Sequence, residues 1–343
     1  MIRGLVSRPE RLVPAVSLPV VVVAFACTPL ISGEGLTTFD IRNALQGFAQ
    51  LGLLALGLGL TMIAREFDLS VVGTYALGGM LAVQTGKSSA ILGVVVAVAA
   101  GAAIGAVQGG LVAWLRIPSL PVTLATYIAL LGLTSAISGG LSKTYTNSAA
   151  TLWVDRTILV IFSPRSLVTL AAFLIAALML GFTKRGRELR AIGGDRRASR
   201  VAGVRVERAL IGLFTVSGTL AALGGALLSY SYASANPNPG LQPLILGAVA
   251  VLLGGVSLAG GRGLPLGLLA GTLSVALIAQ IVAMTALPDY STELLYAALL
   301  VIIVAIDAPG LRQTLDRLKA RRNSKATSTI TLASHDQYGA ESP

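Results

Sequence analysis

The chain is poor in the residues that carry most protein chemistry. Among its 343 residues there is one cysteine, Cys27, and one histidine, His335. A single cysteine excludes an internal disulfide and a cysteine-cluster metal site. One histidine in a polar tail leaves no Cys/His or Ser/His arrangement in the apolar region, which argues against an intramembrane hydrolase of the usual kinds. Charge is scarce too: 12% of residues are Asp, Glu, Lys or Arg, against about 25% in an ordinary soluble domain. In their place stand 54% hydrophobic residues and a mean hydropathy of +0.80. Several runs exceed the ~20 apolar residues that cross a ~30 Å hydrocarbon core. The sequence therefore predicts an all-α polytopic membrane protein. Strands are disfavoured, because open sheet edges cannot be satisfied in lipid. The 39 glycines fit this class, since small residues let membrane helices approach closely.

Apolar periodicity predicts about ten spans, near 12–32, 44–63, 68–84, 90–115, 120–138, 166–183, 209–232, 243–259, 264–286 and 293–306. The third and the last are short, as tilted, re-entrant or broken segments are. With the N-terminus in the cytoplasm, only Arg42, Lys87, Lys143, Arg156 and Arg165 of the 26 Lys and Arg fall on the outer side. That bias supports an orientation with both termini cytoplasmic. It also explains the net charge of +11 by membrane orientation rather than by nucleic acid. The predicted organisation is a cytoplasmic N-terminus (1–11), a transmembrane domain (12–306) with a cytoplasmic loop at 184–208, and a cytoplasmic tail (307–343) whose polar composition predicts partial disorder. Arg3, Arg8 and Arg11 before an apolar run ending Ala24-Phe25-Ala26-Cys27 have the order of a signal peptide. Further spans follow at once, so an uncleaved first span is expected. A possible inverted repeat joins Leu77-Gly78-Gly79-Met80 to Leu253-Gly254-Gly255-Val256, each followed by glycines at every fourth position: Gly101, Gly105 and Gly109, then Gly263, Gly267 and Gly271.

Thr85-Gly86-Lys87-Ser88 imitates the end of a phosphate loop, but Leu81 stands where that loop needs its first glycine. Nucleotide binding by that device is excluded, and any ATPase must be another chain. The basic segment from Lys184 to Gly203 is more informative. Gly193-Gly194 suggests a flexible turn, Asp195 suits an N-cap, Arg196 to Ala202 reads as about two helical turns, and Gly203 suits a left-handed stop. Arg196 and Arg200 share a face, with Arg197 between them. Orientation needs Lys and Arg but not caps, so this segment is expected to be a lever that docks on a soluble partner; the plainer alternative is a basic loop that only fixes orientation. Asp68 and Ser70 open the short third span and are candidates for a translocation path, the alternative for Asp68 being a helix cap at the interface. Thr123 and Thr126 follow Pro118 and Pro121 a helical turn apart; they are pathway candidates too, unless they bond only their own backbone. The 139–165 and 235–240 connections, with Lys143, Tyr145, Asn147, Trp153 and Asp155 in the first, face the outer side and could touch an external partner.

Four blocks in this order resemble the ribose-type permeases of bacterial ABC importers. They are Phe67-Asp68-Leu69-Ser70-Val71, Ile117-Pro118-Ser119-Leu120-Pro121-Val122-Thr123-Leu124-Ala125-Thr126, Ala191-Ile192-Gly193-Gly194-Asp195 through Val204, and Leu253-Gly254-Gly255-Val256-Ser257-Leu258-Ala259-Gly260-Gly261-Arg262-Gly263. The resemblance runs from about residue 40 to Asp307 and is most specific in the last two blocks. It implies a multi-pass permease subunit in the bacterial cytoplasmic membrane, paired with a second permease copy of the same or another chain. It implies partnership with cytoplasmic ABC ATPase subunits and a periplasmic or extracellular solute-binding protein, and import of a monosaccharide or related polyol. The Gly193–Gly203 segment falls where such permeases meet their ATPase. No cofactor, metal, nucleic-acid partner or catalytic residue is expected. The rivals are a branched-chain amino acid ABC permease, an ion-coupled secondary transporter and a membrane scaffold without transport. Spans four to ten carry almost no charge before Asp307, which counts against ion coupling.

Overall fold

The structure, a computed structural model, describes residues 9–33, 35–285, 287–288 and 290–307. The expected cytoplasmic N-terminal segment up to residue 8 and the tail beyond Asp307 lie outside the described residues. The helices are α1 (Pro9–Ala26), α2 (Pro29–Ser32), α3 (Thr38–Ile63), α4 (Val71–Thr85), α5 (Ala90–Trp114), α6 (Ser119–Ser138), α7 (Ser148–Val154), α8 (Pro164–Phe182), α9 (Lys184–Gly194), α10 (Arg196–Val201), α11 (Val206–Ser231), α12 (Gln242–Leu253), α13 (Pro265–Met284) and α14 (Tyr290–Asp307). Among the described residues seven candidate spans are long and apolar enough to cross a membrane, and α4, α12 and α14 are shorter apolar helices. The protein is thus an all-α, multi-pass membrane protein. Two strands of two residues each, β1 (Lys143–Thr144) and β2 (Ser234–Ala235), pair antiparallel in the connections between spans. The chain divides into two compact units at Tyr296/Ala297; the described part of the second is the apolar stretch 297–307 at the end of α14.

Within the first unit α3 is the central element. It opens on a capping box: Asp40 N–H donates to Thr37 Oγ1, and Thr37 N–H donates to Asp40 Oδ2 at 2.9 Å. From Phe48 to Ile63 nearly every side chain is buried. Against it and around it pack α4, α8, α11, α12 and α13. Lipid gives helices little hydrophobic reason to associate, so close approach must come from small residues. The glycines of α5 serve this need. Side chains at Gly101 and Gly105 would run into the carbonyl oxygens of Gly218 and Phe214, and one at Gly109 would meet Ile211, all on α11. Gly267 and Gly271 of α13 meet Gly254 and Ala250 in the same way.

The proposed repeat differs locally between its two halves. Gly78-Gly79 stays inside α4 and packs on α11, whereas α12 stops at Leu253 instead of running on to 259. Gly255, Gly260 and Gly261 then hold left-handed backbone, at φ 76°, 75° and 71°, and the chain unwinds into a loop from 254 to 264. Glycine adopts that conformation without the Cβ clash that other residues meet.

Candidate functional site

The sequence folds its basic segment into two helices. Thr183 ends α8 in extended backbone and caps α9, accepting a hydrogen bond from Gly186 N–H at 3.3 Å. Gly186 lies against the backbone of Leu180, so the corner has no room for a side chain. Leu189 and Ile192 are buried on one face of α9, while Lys184, Arg185 and Arg187 stay exposed. Gly193-Gly194 is therefore not a flexible turn. It is the last turn of α9, and Gly193 is wedged against Ile63 O at the end of α3 and against the backbone of Gly261. Gly261 N–H also donates to Ile63 O at 2.8 Å.

Asp195 caps α10: its Oδ1 accepts from Arg197 N–H at 2.7 Å and Ala198 N–H at 3.0 Å. Those two amides hold its carboxyl below the usual aspartate value. At the other end Gly203 has φ 82°, its N–H reaches Arg200 O at 2.9 Å, and Val204 N–H reaches Ser199 O at 3.0 Å. This is a Schellman stop, so a helix of only six residues is fixed at both ends. Arg196 and Arg200 are tied back to the chain. Arg196 pairs with Glu66, which is 3% exposed. Arg200 pairs with Glu207 at 2.9 Å. Arg197 and Ala198 remain exposed, and Val201 is 91% exposed, an apolar side chain presented on a basic helix.

Glu66 belongs to the turn 64–70 between α3 and α4, where α5, α6, α10 and α11 also meet. Phe67 N–H donates to Ser119 Oγ at 3.2 Å, and Thr123 Oγ1 donates to Phe67 O at 3.2 Å and to Ser119 O at 2.9 Å, which stitches α6 to the turn. Asp68 is fully buried. Its Oδ1 accepts from Ser70 N–H at 3.0 Å, Ser70 Oγ at 2.6 Å and Gln108 Nε2 at 3.3 Å; its Oδ2 accepts from Ser217 Oγ at 2.9 Å. One carboxylate thus joins the turn to α5 and α11. A buried charge is tolerable only with such a set of donors. Thr126 stands apart, half-buried, with Oγ1 on Val122 O at 2.9 Å.

At the far end of the bundle a cavity of about 440 Å³ opens beside β2 and the start of α12. Its polar lining includes Gln50, Tyr75, Ser229, Tyr232, Asn236 and Gln242, and among the described residues no Asp, Glu, Lys or Arg lines it. Tyr75 and Tyr232 both donate to Gln50, to its backbone oxygen at 3.3 Å and its side-chain oxygen at 3.2 Å. Gln50 lies some 18 Å along α3 from its first turn at 1.5 Å per residue, so the cavity reaches deep between the spans. The 139–165 connection folds back on the bundle. Tyr145 stacks on Tyr230 at 4.4 Å and donates to Gly86 O, Asn147 caps α7, and Asp155 pairs with buried Arg165 at 3.1 Å. Trp153 alone of the residues singled out there is exposed, with exposed Leu152 beside it.

Sequence reasoning missed Glu66 as a partner of Arg196, and Gln108, Ser217, Val201 and the tyrosine-lined cavity. Gln108 had a visible signal: it is the one amide or charged side chain in the 25 residues of α5. Ser217 and the tyrosines had none, being ordinary in composition and brought together only by packing.

Comparison with known proteins gives one consistent picture. The family model for the branched-chain amino acid transport system / permease component matches residues 41–304. The ribose import permease protein RbsC of Escherichia coli (strain K12) is 30% identical over 301 residues, covering 85% of this chain and 92% of that protein. The fructose import permease protein FrcC of Rhizobium meliloti is 31% identical over 310 residues, covering 86% and 84%. The autoinducer 2 import system permease protein LsrC of Enterobacter sp. (strain 638) is 33% identical over 270 residues, 77% of each chain. No solved structure matches the chain.

Proposed function

The chain belongs to the family described as the permease component of branched-chain amino acid transport systems, and from that premise we propose that it is the membrane-spanning subunit of an ATP-binding cassette importer for a monosaccharide or related polyol. Its named relatives import ribose and fructose. The cavity at the far end of the bundle supports an uncharged, hydroxyl-rich substrate: among the described residues it offers tyrosine, serine and amide groups and no ion to hold the carboxylate and ammonium of an amino acid. That lining favours the sugar reading over the amino-acid reading in the family's own description. The chain performs no bond chemistry. ATP hydrolysis belongs to a cytoplasmic ATPase, and delivery to a periplasmic or extracellular binding protein. A second permease copy completes the pathway. The membrane is the bacterial inner membrane, with both termini cytoplasmic.

The observation that carries the mechanism is the Arg196–Glu66 tie between the exposed helix α10 and the buried turn 64–70. The Val201 face of α10, with Arg197, seats in a groove of the ATPase. A helix capped at both ends moves as one body, so its displacement reaches Glu66 through Arg196. Glu66 shares its turn with Phe67 and Asp68, which pass the movement to α6, α5 and α11. Gly193 and Gly194 pass it in parallel to the 254–264 loop. Arg200 braces α10 on α11 through Glu207, and Gly203 supplies its stop. In this account Asp68, Ser70 and Thr123 sit beside the pathway and control its shape, and Thr126 is the hydroxyl nearest to being free to meet solute. Val201→Asp, co-expressed with the ATPase, is expected to insert normally but to lose ATPase co-purification; undiminished co-purification contradicts the docking assignment.

A further inference from the structure

Beside the lever lies a second cavity, of about 920 Å³, between the turn at 65–67, the connection 116–120 and the joint of α9 with α10. Four arginines line it: Arg65, Arg116, Arg196 and Arg197. Two carboxylates, Glu66 and Asp195, line it as well, which leaves the arginines in excess by two. Glu66 is taken by Arg196, and Asp195 points its Oδ1 at the amides of Arg197 and Ala198. The side chains of Arg65 and Arg116 make no hydrogen bond or close ion pair among the described residues; Glu207, already paired with Arg200, feels the charge of Arg116.

The backbone makes these two arginines conspicuous. Arg65 follows the C-cap of α3 and Arg116 follows the C-cap of α5, and both hold left-handed backbone, at φ 64° and 54°. Helices usually fill that position with glycine. The chain keeps arginine there twice, at two edges of one cavity. Next to Arg116 stand exposed Trp114, Leu115 and Leu120. A tryptophan beside an arginine at the end of an apolar helix marks the depth where headgroups meet acyl chains.

We propose that this cavity is a binding site for the phosphate headgroup of an anionic phospholipid, held by Arg65 and Arg116 with its acyl chains along Trp114, Leu115 and Leu120. Guanidinium forks suit phosphate oxygens, and basic pockets between spans at headgroup level are where such lipids bind. A lipid there touches the turn that receives the movement of α10, so it would set how firmly the lever grips the spans.

The test is native mass spectrometry of the full-length protein, relipidated from vesicles of phosphatidylcholine and phosphatidylglycerol in equal parts. Wild type is expected to retain phosphatidylglycerol preferentially. The Arg65→Gln/Arg116→Gln double variant is expected to lower that preference about thirtyfold, while Arg187→Gln, on the exposed face of α9, keeps it. The Arg65→Gly/Arg116→Gly variant guards against misfolding, because glycine suits both backbone positions; it should melt no lower than wild type and still lose the lipid. Retention of phosphatidylglycerol by either double variant, or no preference in wild type, overturns the site. Displacement of the lipid by 10 mM inorganic phosphate, on the order of the concentration at which a free-anion site fills, overturns the assignment to lipid in favour of a soluble anion.

Discussion

Asp68 shows how much one buried carboxylate organises. Its oxygens serve Ser70, Gln108 and Ser217 from three elements. Asp68→Ala leaves those donors buried without an acceptor and is expected to destabilise the protein by about 3 kcal/mol. Ser217→Ala removes one donor of several and should cost about 1 kcal/mol. Unfolding of the detergent-purified variants checks both, and equal effects would show that Asp68 is not the centre of the network. The residue type and position of Asp68 were legible, but the roles expected for it, path or cap, did not include the network it holds, and Ser70 rather than Asp68 stands at the N-cap of α4. The Asp68 partners Gln108 and Ser217 were not legible, because they lie 40 and 149 residues away and only tertiary packing brings them in. The same holds for Glu66 and Arg196. Asp195 was fully legible, because capping is local. Its lowered carboxyl also sets a sign for pH. The cap contributes fully above the ordinary aspartate value of 3.8 and is lost as pH falls through the lowered folded value. Amide exchange of Ala198 should accordingly stay slow at pH 5 and quicken only below that lowered value; loss of protection between pH 7 and pH 5, well above the ordinary aspartate range, would show that the carboxylate is not what holds the amide.

At the scale of elements, the paired glycines of α9 make a sharp contrast. Gly193 is wedged between two backbones, while a side chain at Gly194 would meet nothing. Gly193→Ala is expected to destabilise by about 2 kcal/mol through overpacking and to weaken coupling of ATP hydrolysis to uptake. Gly194→Ala should be neutral or stabilising by about 0.5 kcal/mol, since it only restricts the unfolded chain. Thermal unfolding and uptake of the two variants decide this, and equal tolerance would mean that α9 does not press on Ile63. The two glycines look alike in sequence and suggested a hinge; which of them has no room for a side chain is decided by α3 and the 254–264 loop. The caps of α10 were readable because every group involved lies within ten residues. The early end of α12 was foreshadowed by Gly254-Gly255, but its apolar neighbours masked it, since a hydropathy window does not register backbone conformation.

For the whole molecule, ten apolar segments in order were legible from hydropathy alone, since each span must satisfy its own backbone in lipid. Which faces those helices turn to one another was not, except along the glycine stripe of α5, whose four-residue spacing marks a close contact but not that α11 makes it. On the proposed function the protein is a conduit moved from outside through α10. The most direct test is solute uptake by proteoliposomes that hold the purified chain with or without its ATPase and with the cognate binding protein added. The account predicts accumulation of a labelled sugar only when the ATPase and ATP are both present, and its loss in Val201→Asp. Accumulation by the chain alone, driven by an ion gradient without ATP, would contradict it.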